Sequence, residues 1–178
     1  MSEPEDKELI TQARSGDRRA FETLINRYYE TMFRMAFKWC GNRTQAEDIT
    51  QDACIKLARS LESYRGDAAF TSWLYRLVIN CGRDWMRAQN RHPDNPNAME
   101  FVSLRDKKDE TVYARQVMSE VYALPEGERE ALLLVHSEGF SHKEAADILG
   151  CKESTISWRI HEARKKLAAL FEKDQSYG

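Results

Sequence analysis

The chain has 178 residues, of which 42% are hydrophobic and 31% are charged, and its formal net charge is −2 at pH 7. This length supports one or two small domains, and the composition excludes a disordered or fibrous protein. The slight acidic excess excludes a generally cationic protein, so any nucleic-acid contact would need local basic surfaces. The N-terminus is acidic and polar, unlike a signal peptide, and no apolar run approaches the length of a membrane-spanning helix, about 20 residues. We therefore expect a cytoplasmic protein without membrane insertion.

Proline and glycine are sparse, with four and eight residues, which predicts long helices over residues 7–15 and 18–40. The cysteines are far apart, form no C-x-x-C pair, and are expected to act as small reduced hydrophobes: Cys40, Cys54, Cys81 and Cys151. A zinc site from Cys151, His142 and His161 can be drawn, but its spacing matches no usual ligand pattern. We expect neither a metal nor another cofactor.

A third helix is predicted from about residue 45 to 61, with Thr44 as its cap and Glu47 at the capping-box position. Its apolar spacing predicts an inward stripe of Ala46, Ile49, Ala53 and Leu57. The outward and flanking positions are Asp48, Gln51, Asp52, Ile55 and Arg59. Carboxylates would repel phosphates, so this side suits a protein partner with a basic, partly apolar groove. A merely solvated acidic face is the alternative.

Residues 63–67 are a predicted loop, after which Thr71 is predicted to cap a helix that reaches about Asn90. The predicted buried stripe of this helix is Leu74, Leu77, Val78, Cys81 and Trp85. The outward positions form a ridge that can follow a phosphate backbone: Ser72, Arg76, Asn80, Arg83 and Arg87. The nearby aromatic residues Trp73 and Phe70 can either stack on unpaired bases or cap the core.

Residues 92–108 combine prolines and asparagines with mixed charges, a composition that buries little surface. The sequence therefore predicts a flexible linker over residues 93–109. It would join an N-terminal domain, residues 5–92, to a C-terminal domain, residues 110–173. Both domains are predicted to be all-α.

The C-terminal domain carries the pattern of a helix-turn-helix. Ser141 and Glu144 have the spacing of a capping box, and Gly150 can end the short helix that they begin. The next helix has an apolar stripe of Ile156, Ile160, Ala163, Leu167 and Leu170. Its opposite side and flanks are mostly polar or basic: Ser154, Trp158, Arg159, His161, Glu162, Arg164, Lys165 and Lys166. This pattern suits insertion into a major groove, although two helices joined by glycine are also common in other all-α proteins.

Three strings in this order resemble the extracytoplasmic-function class of bacterial sigma factors, the two-domain subunits that give RNA polymerase its promoter specificity. They are residues 46–52 (AEDITQD), residues 70–76 (FTSWLYR) with their continuation to Arg87, and residues 124–126 (LPE) followed by 138–164. The resemblance covers nearly the whole chain. It implies a sigma-2-like helical bundle and a sigma-4-like helix-turn-helix domain joined by the flexible linker.

The resemblance also implies three sets of binding residues. Contact with the clamp of the polymerase's largest subunit is implied for Asp48, Gln51, Asp52 and Ile55. Capture of a flipped −10 base by the loop of residues 61–68, and contact along the melted strand, is implied for Tyr64, Arg65, Trp73, Arg76, Asn80, Arg83 and Arg87. Recognition of the −35 element is implied for Ser154, Thr155, Ser157, Trp158, Arg159, His161, Arg164 and Lys165. The second domain would also contact the flap region of the polymerase.

The implied function is that of a promoter-recognition subunit, not an enzyme, controlled by an anti-sigma protein that covers the same surfaces. The alternative is a helix-turn-helix regulator that binds duplex DNA on its own as a dimer. An enzyme acting on nucleic acid has no support, because the chain lacks a deaminase zinc motif, a Walker lysine and carboxylates clustered for two metals. Many members of the class read GTVKSR where this chain reads STISWR at residues 154–159. The difference places Trp158 on the predicted exposed side, where so large an apolar ring is costly without a partner. Trp158 is therefore expected to contact either DNA or a protein inhibitor.

Overall fold

The computed structural model describes residues 5–91 and 110–175, and every regular element in these ranges is helical. Side chains are described for residues 5–91, 116–169 and 172. The first range contains α1 (Asp6–Arg14), α2 (Arg18–Cys40), α3 (Arg43–Ser60), a 3₁₀ turn (Leu61–Ser63) and α4 (Phe70–Asn90). The second contains α5 (Glu110–Ala123), α6 (Glu126–Leu132), a π-helical turn (Leu133–Ser137), α7 (His142–Leu149) and α8 (Glu153–Gln175). The all-α prediction is confirmed, whereas the predicted linker, residues 93–109, lies outside the described residues.

The helices form two units, α1–α4 and α5–α8, each with its own core. In the first unit α2, α3 and α4 contact one another, and α1 packs on α2. Its largest buried side chains are Leu24, Met32, Met35, Trp39, Ile49, Leu57, Leu74, Val78 and Ile79. The stripe predicted for α3 is confirmed. In α4, Trp85 is only half-buried, whereas Tyr75 and Ile79 are buried in addition. Because α2 and α3 both cover α4, its buried arc is wider than one stripe.

The turn from α2 to α3 consists of one glycine and one asparagine. Gly41 adopts a left-handed backbone with φ 72° and ends α2. The side chain of Asn42 then accepts a hydrogen bond from the backbone N–H of Gln45, at 3.0 Å, and caps α3. The predicted cap at Thr44 is therefore wrong. A single left-handed residue already reverses the chain, so Thr44 lies inside the helix.

The start of α4 is held by an aromatic ring rather than by a cap. The residue before the helix, Ala69, makes no side-chain cap hydrogen bond, and Thr71 already lies inside the first turn, so the predicted cap at Thr71 is wrong. Phe70 is buried, with its ring centroid 5.2 Å from that of Tyr28 and 5.4 Å from that of Tyr64. Burial of a large ring anchors this turn without a capping side chain.

Helix α1 is attached to α2 through a carboxylate. Asp6 accepts hydrogen bonds from the hydroxyl of Tyr28 and the guanidinium of Arg27. Burial acts to raise the pKa of Asp6, but the two hydrogen bonds and the charge of Arg27 lower that pKa below its usual value. A carboxyl with a lowered pKa stabilises the folded state above its unfolded-state pKa and loses that effect as the pH falls through its folded-state pKa. The attachment is therefore strongest at neutral pH.

The second unit contains the predicted helix-turn-helix. The hydroxyl of Ser141 accepts a hydrogen bond from the backbone N–H of Glu144, at 3.2 Å, and the carboxylate of Glu144 accepts one from the backbone N–H of Ser141, at 2.8 Å. The predicted capping box is therefore confirmed. Gly150 ends α7 with φ 67°, as predicted.

Helix α8 packs against α6 and α7 through the predicted stripe. Its buried members are Ile156, Ile160 and Ala163, Leu167 is half-buried, and the side chain of Leu170 lies outside the described residues. On the flank of this stripe the ammonium of Lys166 donates to the carboxylate of Glu128 in α6, at 2.6 Å. The stripe and this ion pair orient α8 about its own axis.

Helices α2 and α4 approach each other closely at Gly82 and Trp39, and a substitution there can test the packing of the core of the first unit. A Cβ atom added at Gly82 would lie 2.9 Å from two ring carbons of Trp39, which is almost fully buried. Alanine in place of glycine favours a helix by about 0.5–1 kcal/mol, whereas overpacking a core costs about 1–3 kcal/mol. We expect Gly82→Ala to lower the free energy of unfolding by about 1–2 kcal/mol, measured by urea denaturation.

Gly127→Ala in α6 is the matched control. A Cβ atom there would lie 2.9 Å from the guanidinium of Arg159, which is the far end of a flexible side chain and can move aside. We expect this variant to lose no unfolding free energy. Equal losses in the two variants would contradict the role given to the Trp39 ring.

Candidate nucleic-acid and protein interfaces

The outward side of α3 combines carboxylates with an exposed aliphatic side chain. Asp48, Gln51 and Asp52 are exposed, and Ile55 retains 49% of its accessible surface. We call these four residues the acidic face of α3. They lie on the side of the helix opposite the stripe that packs on α2 and α4, as the spacing predicted. A partner for this face would need positive charge around an apolar contact.

A groove of about 560 Å³ runs between the C-terminal half of α3 and the exposed side of α4. We call it the α3–α4 groove. Its lining residues are Lys56, Arg59, Ser60, Ser63, Trp73, Arg76, Leu77, Asn80, Asp84 and Arg87. The structure thus brings together four of the residues predicted for −10 DNA, namely Trp73, Arg76, Asn80 and Arg87.

The contribution of α3 and the 3₁₀ turn after it to this groove was not predicted from the sequence. Lys56, Ser60 and Ser63 follow the acidic face along the chain and lie across the groove from α4. Spacing along α4 could not reveal residues of another helix. One feature of the sequence could have indicated this contribution. Along α3, the carboxylates Asp48 and Asp52 are followed by the basic residues Lys56 and Arg59.

The charges of the groove are balanced locally by one carboxylate among its lining residues. Asp84 accepts a hydrogen bond from the ammonium of Lys56 at 2.7 Å and from the guanidinium of Arg87 at 2.9 Å. The hydrogen bond from Lys56 is the main cause that lowers the pKa of Asp84, and the same bond raises the pKa of Lys56. The groove therefore keeps four basic side chains and one ionised carboxylate at neutral pH.

Tyr64 and Arg65 line a different cavity, of about 500 Å³, between α1, α2 and the loop that precedes α4. The hydroxyl of Tyr64 donates to the carbonyl oxygen of Ala68 at 2.6 Å, which closes this loop. The Tyr64 ring lies 5.3 Å from the ring of Trp73, centroid to centroid, and Trp73 lines the α3–α4 groove. Two adjoining rings, tilted at 47° to each other, therefore connect the two cavities.

The structure places Phe70, Trp73 and Arg83, which were predicted to face DNA or to be able to, in three different environments. Phe70 is buried, so it belongs to the core. Trp73 is half-buried and stacks on Phe70 at 5.7 Å while part of its surface faces the groove. Arg83 is half-buried and is not among the residues that line the groove. Of the predicted ridge of α4, the groove therefore contains Arg76, Asn80 and Arg87, whereas Ser72 and Arg83 are half-buried and do not line it.

Helix α8 presents most of the residues predicted for −35 DNA on one exposed side. The exposed members are Ser154, Ser157, Trp158, His161, Arg164 and Lys165, and Thr155 is half-buried. Trp158 retains 58% of its accessible surface, which is unusual for so large an apolar ring and marks an interaction site.

Arg159 is placed differently from the other predicted −35 residues. It is half-buried, its guanidinium lies against Gly127 at the start of α6, and one of its nitrogens is 3.9 Å from the sulfur of Cys151. Helical spacing put this residue on the flank of the exposed side, and packing turns it toward α6. Two other residues of the set are held by imidazoles, Ser157 by His142 and Arg164 by His136.

Cys40, Cys54, Cys81 and Cys151, all of which lie within the described ranges, form no disulfide bond with one another. Burial raises the pKa of the Cys81 thiol to about 11 and raises the pKa of the Cys54 thiol as well, so both stay protonated at neutral pH. Within residues 5–91 and 110–175 no group of three His, Cys, Asp or Glu side chains could hold a metal ion. None of the helices described there is both long and apolar enough to cross a membrane.

Comparison with known proteins gives two family matches and full-length relatives. The model of sigma-70 region 2 matches residues 24–92, and that of sigma-70 region 4 matches residues 114–167. The chain is 29% identical to the RNA polymerase sigma-H factor of Pseudomonas aeruginosa, over 94% of each chain. It is 33% identical to the ECF RNA polymerase sigma factor SigM of Mycobacterium tuberculosis, over 94% of this chain and 85% of that protein.

A solved structure has the same fold. It is that of CnrH in complex with the cytosolic domain of CnrY, at 29% identity and a TM-score of 0.70, covering 95% of this chain and 98% of that chain. The match to region 2 contains the acidic face and the α3–α4 groove, and the match to region 4 contains the helix-turn-helix. The chain belongs to the extracytoplasmic-function class of the sigma-70 family of RNA polymerase sigma factors.

Proposed function

We propose that this chain is a promoter-specificity subunit that binds core RNA polymerase and directs initiation at promoters with −10 and −35 elements. Residues 5–92 would bind the polymerase and the −10 element, residues 110–173 would read the −35 element, and residues 93–109 would join them. The observation that carries the proposal is the separation of charge around α3. Its acidic face lies on one side, and the basic groove that it forms with α4 lies on another.

The acidic face of α3 is proposed to dock on the clamp of the polymerase's largest subunit. Asp48 and Asp52 would pair with basic side chains of the clamp, and Ile55 would enter an apolar contact between them. Complementary charge accelerates association and fixes the register of the two surfaces, while burial of the isoleucine adds affinity. Gln51, exposed between the carboxylates, would supply hydrogen bonds.

The α3–α4 groove and the neighbouring cavity are proposed to hold melted −10 DNA. Arg76, Asn80 and Arg87 would follow the phosphates, while Trp73 offers a surface on which a base can stack. The cavity that Tyr64 and Arg65 line would take a base pulled from the stack, a step that costs a few kcal/mol. A strand lying in the groove could place one base in the cavity, because the rings of Trp73 and Tyr64 adjoin. Arg83, half-buried at the edge of this surface, would contribute from its flank.

The exposed side of α8 is proposed to enter the major groove of the −35 element. Contacts with bases would come from the first two turns and from the guanidinium of Arg164, and a contact with phosphate from Lys165. The proposed residues are Ser154, Thr155, Ser157, Trp158, His161, Arg164 and Lys165. Arg159 would join them only by leaving its site against Gly127. The same unit is proposed to contact the flap region of the polymerase.

Family membership favours this function over a helix-turn-helix regulator that binds duplex DNA alone as a dimer. We infer that the chain acts by binding rather than by catalysis, and in the cytoplasm with the polymerase. An anti-sigma protein is the proposed inhibitor, because CnrH, 29% identical to this chain, is solved with the cytosolic domain of a second protein. The exposed Trp158 and Ile55 are apolar contacts that such an inhibitor could cover.

The deciding experiment is run-off transcription from a library of genomic fragments with core polymerase, with and without this chain. We expect new, discrete start sites only when the chain is present, and selection of promoter fragments by the assembled holoenzyme. Gel shifts should show weak binding of these fragments by the chain alone and strong binding with core polymerase. Tight binding by a dimer of the chain alone, without initiation, would support the regulator instead.

Charge reversal should separate the two surfaces of the first unit. We expect Asp52→Arg to weaken binding of core polymerase about tenfold or more, because a complementary contact becomes a repulsive one. We expect Arg76→Glu to leave that binding nearly unchanged and to reduce open-complex formation about tenfold, because a carboxylate would face the strand. Binding is measured by titration of labelled protein with core polymerase, and strand opening by permanganate reactivity.

Glu22→Arg is the matched control for these reversals. Glu22 is an exposed carboxylate of α2 that pairs with Arg18 outside the proposed surfaces, and an exposed pair of this kind contributes little to stability. Neither core binding nor strand opening should change. Loss of both activities in both Asp52→Arg and Arg76→Glu would contradict two separate surfaces.

Removal of the carboxylate in the groove should strengthen binding of single-stranded DNA. Asp84→Asn removes one negative charge and replaces one of the two accepting oxygens by an NH2 group, so only one of the hydrogen bonds from Lys56 and Arg87 can remain, without its ionic part. We expect affinity for a single-stranded oligonucleotide to rise severalfold at low salt, with a steeper salt dependence, by fluorescence anisotropy. Because the pKa of Asp84 is lowered, the contrast with wild type should be equal at pH 5 and pH 7.5. Identical affinities and salt slopes would exclude the groove as a DNA site.

A further inference from the structure

Two imidazoles from other elements of the second unit contact residues on the exposed side of α8. The Nε2 atom of His136, in the π-helical turn, lies 2.8 Å from a terminal nitrogen of Arg164. The Nδ1 atom of His142, the first residue of α7, lies 2.8 Å from the hydroxyl oxygen of Ser157. Ser157 and Arg164 are seven residues apart, about two helical turns, so both imidazoles support the same side of α8.

The contact with Arg164 determines the protonation state of His136. A guanidinium has only N–H donors and no acceptor, so Nε2 of His136 must accept the hydrogen bond. Acceptance requires a neutral imidazole whose proton is on Nδ1. A protonated ring would turn an N–H toward another N–H and place two positive charges at the same contact.

The surroundings of His136 keep the ring neutral. Among the side chains that the structure describes, the charged or titratable groups that act on it are Arg164 from α8 and His142 from α7. Burial, followed by the charge of Arg164 and then His142, lowers the pKa of His136 below its usual value. In the folded protein the pKa of His136 is lowered, so the imidazole is neutral at neutral pH and accepts the hydrogen bond. As the pH falls through that pKa, the ring gains a proton on Nε2 and the hydrogen bond is lost.

We propose that His136 is a positioning residue whose neutral imidazole holds Arg164 in the orientation in which it contacts the −35 duplex. This inference rests on the proposed function, because it assigns a task within the same DNA-binding unit. An arginine side chain samples many rotamers, and holding it before binding reduces the ordering cost when DNA arrives. His142 would hold Ser157 differently, because the Ser157 hydroxyl donates to the carbonyl oxygen of Glu153 and can accept from the Nδ1–H of His142.

Acidification then has two opposite effects on DNA binding. Protonated His136 adds positive charge, which strengthens contact with any phosphate backbone. It also releases Arg164, which weakens only those contacts that require its orientation. The ratio of specific to non-specific affinity therefore falls with pH, even where the total affinity does not.

The first test is nuclear magnetic resonance of the full chain with labelled imidazoles and needs no DNA. We expect His136 to carry its proton on Nδ1 at pH 7.5. In Arg164→Gln the pKa of His136 should rise, since a neighbouring positive charge is removed. A proton on Nε2, or an unchanged pKa in Arg164→Gln, would overturn the inference.

The second test measures the ratio of affinities of the holoenzyme for a promoter fragment selected by wild type and for a scrambled duplex. We expect His136→Ala to lower this ratio about fivefold at pH 7.5, the order expected when one oriented contact is lost. His136→Gln should retain the ratio at pH 7.5 and make it less dependent on pH between 5.5 and 7.5 than in wild type, because an amide oxygen accepts at every pH. The dependence that remains in His136→Gln is that of His142 and His161. In an Arg164→Gln background, His136→Ala should have no further effect.

The outcomes distinguish this inference from the proposed function. If wild type selects no promoter fragment, the proposed function fails, and the imidazole measurement still tests the contact. If wild type selects one but His136→Ala and His136→Gln share its ratio and pH profile, the positioning role is excluded. Should His136→Ala not fold, His136→Gln and the wild-type pH profile decide the question.

Discussion

The acidic face of α3 and the α3–α4 groove both depend on burial of a single stripe of α3 against α2 and α4. Ala46, Ile49, Ala53 and Leu57 retain no accessible surface. Once this stripe is buried, the rotation of α3 about its axis is determined, and the positions of all its polar residues follow. The acidic face must then point outward, and the basic side chains of Lys56 and Arg59, near the end of the helix, must lie beside α4. A slip of one residue would turn each face by about 100° and dissolve both surfaces.

Charge is arranged by position here, rather than by excess. With a net charge of −2, the chain has no general attraction for phosphate. The groove overcomes this by collecting four basic side chains within one concave surface, where their potentials add. Asp84 limits that attraction from within, through its contacts with Lys56 and Arg87. One small helical bundle therefore carries both an acidic face and a basic groove.

In the second unit, the preceding elements do more than orient the recognition helix. The capping box and Gly150 set the angle at which α7 leads into α8. His136 and His142, which belong to the π-helical turn and to α7, also contact individual side chains of α8. A helix-turn-helix of this kind prepares its surface at the level of side chains as well as helices. The buried stripe of Ile156, Ile160 and Ala163 beneath this surface packs α8 against α6 and α7.

The sequence alone determined the helices, the buried side of each, the capping box and the separation of acidic from basic surfaces. These depend on spacing within one helix, which sets the direction of a side chain about its own axis. Only the tertiary structure decided which outward residues share a site. Arg83 and Arg159 have the spacing of exposed residues, yet neighbouring elements leave both half-buried, and Lys56 joins a groove that spacing along α4 could not reveal. Helix starts were likewise decided by tertiary contacts, since the buried Phe70 ring replaced the cap expected from Thr71. The physical reason is that periodicity carries no information about which other element covers a given side chain.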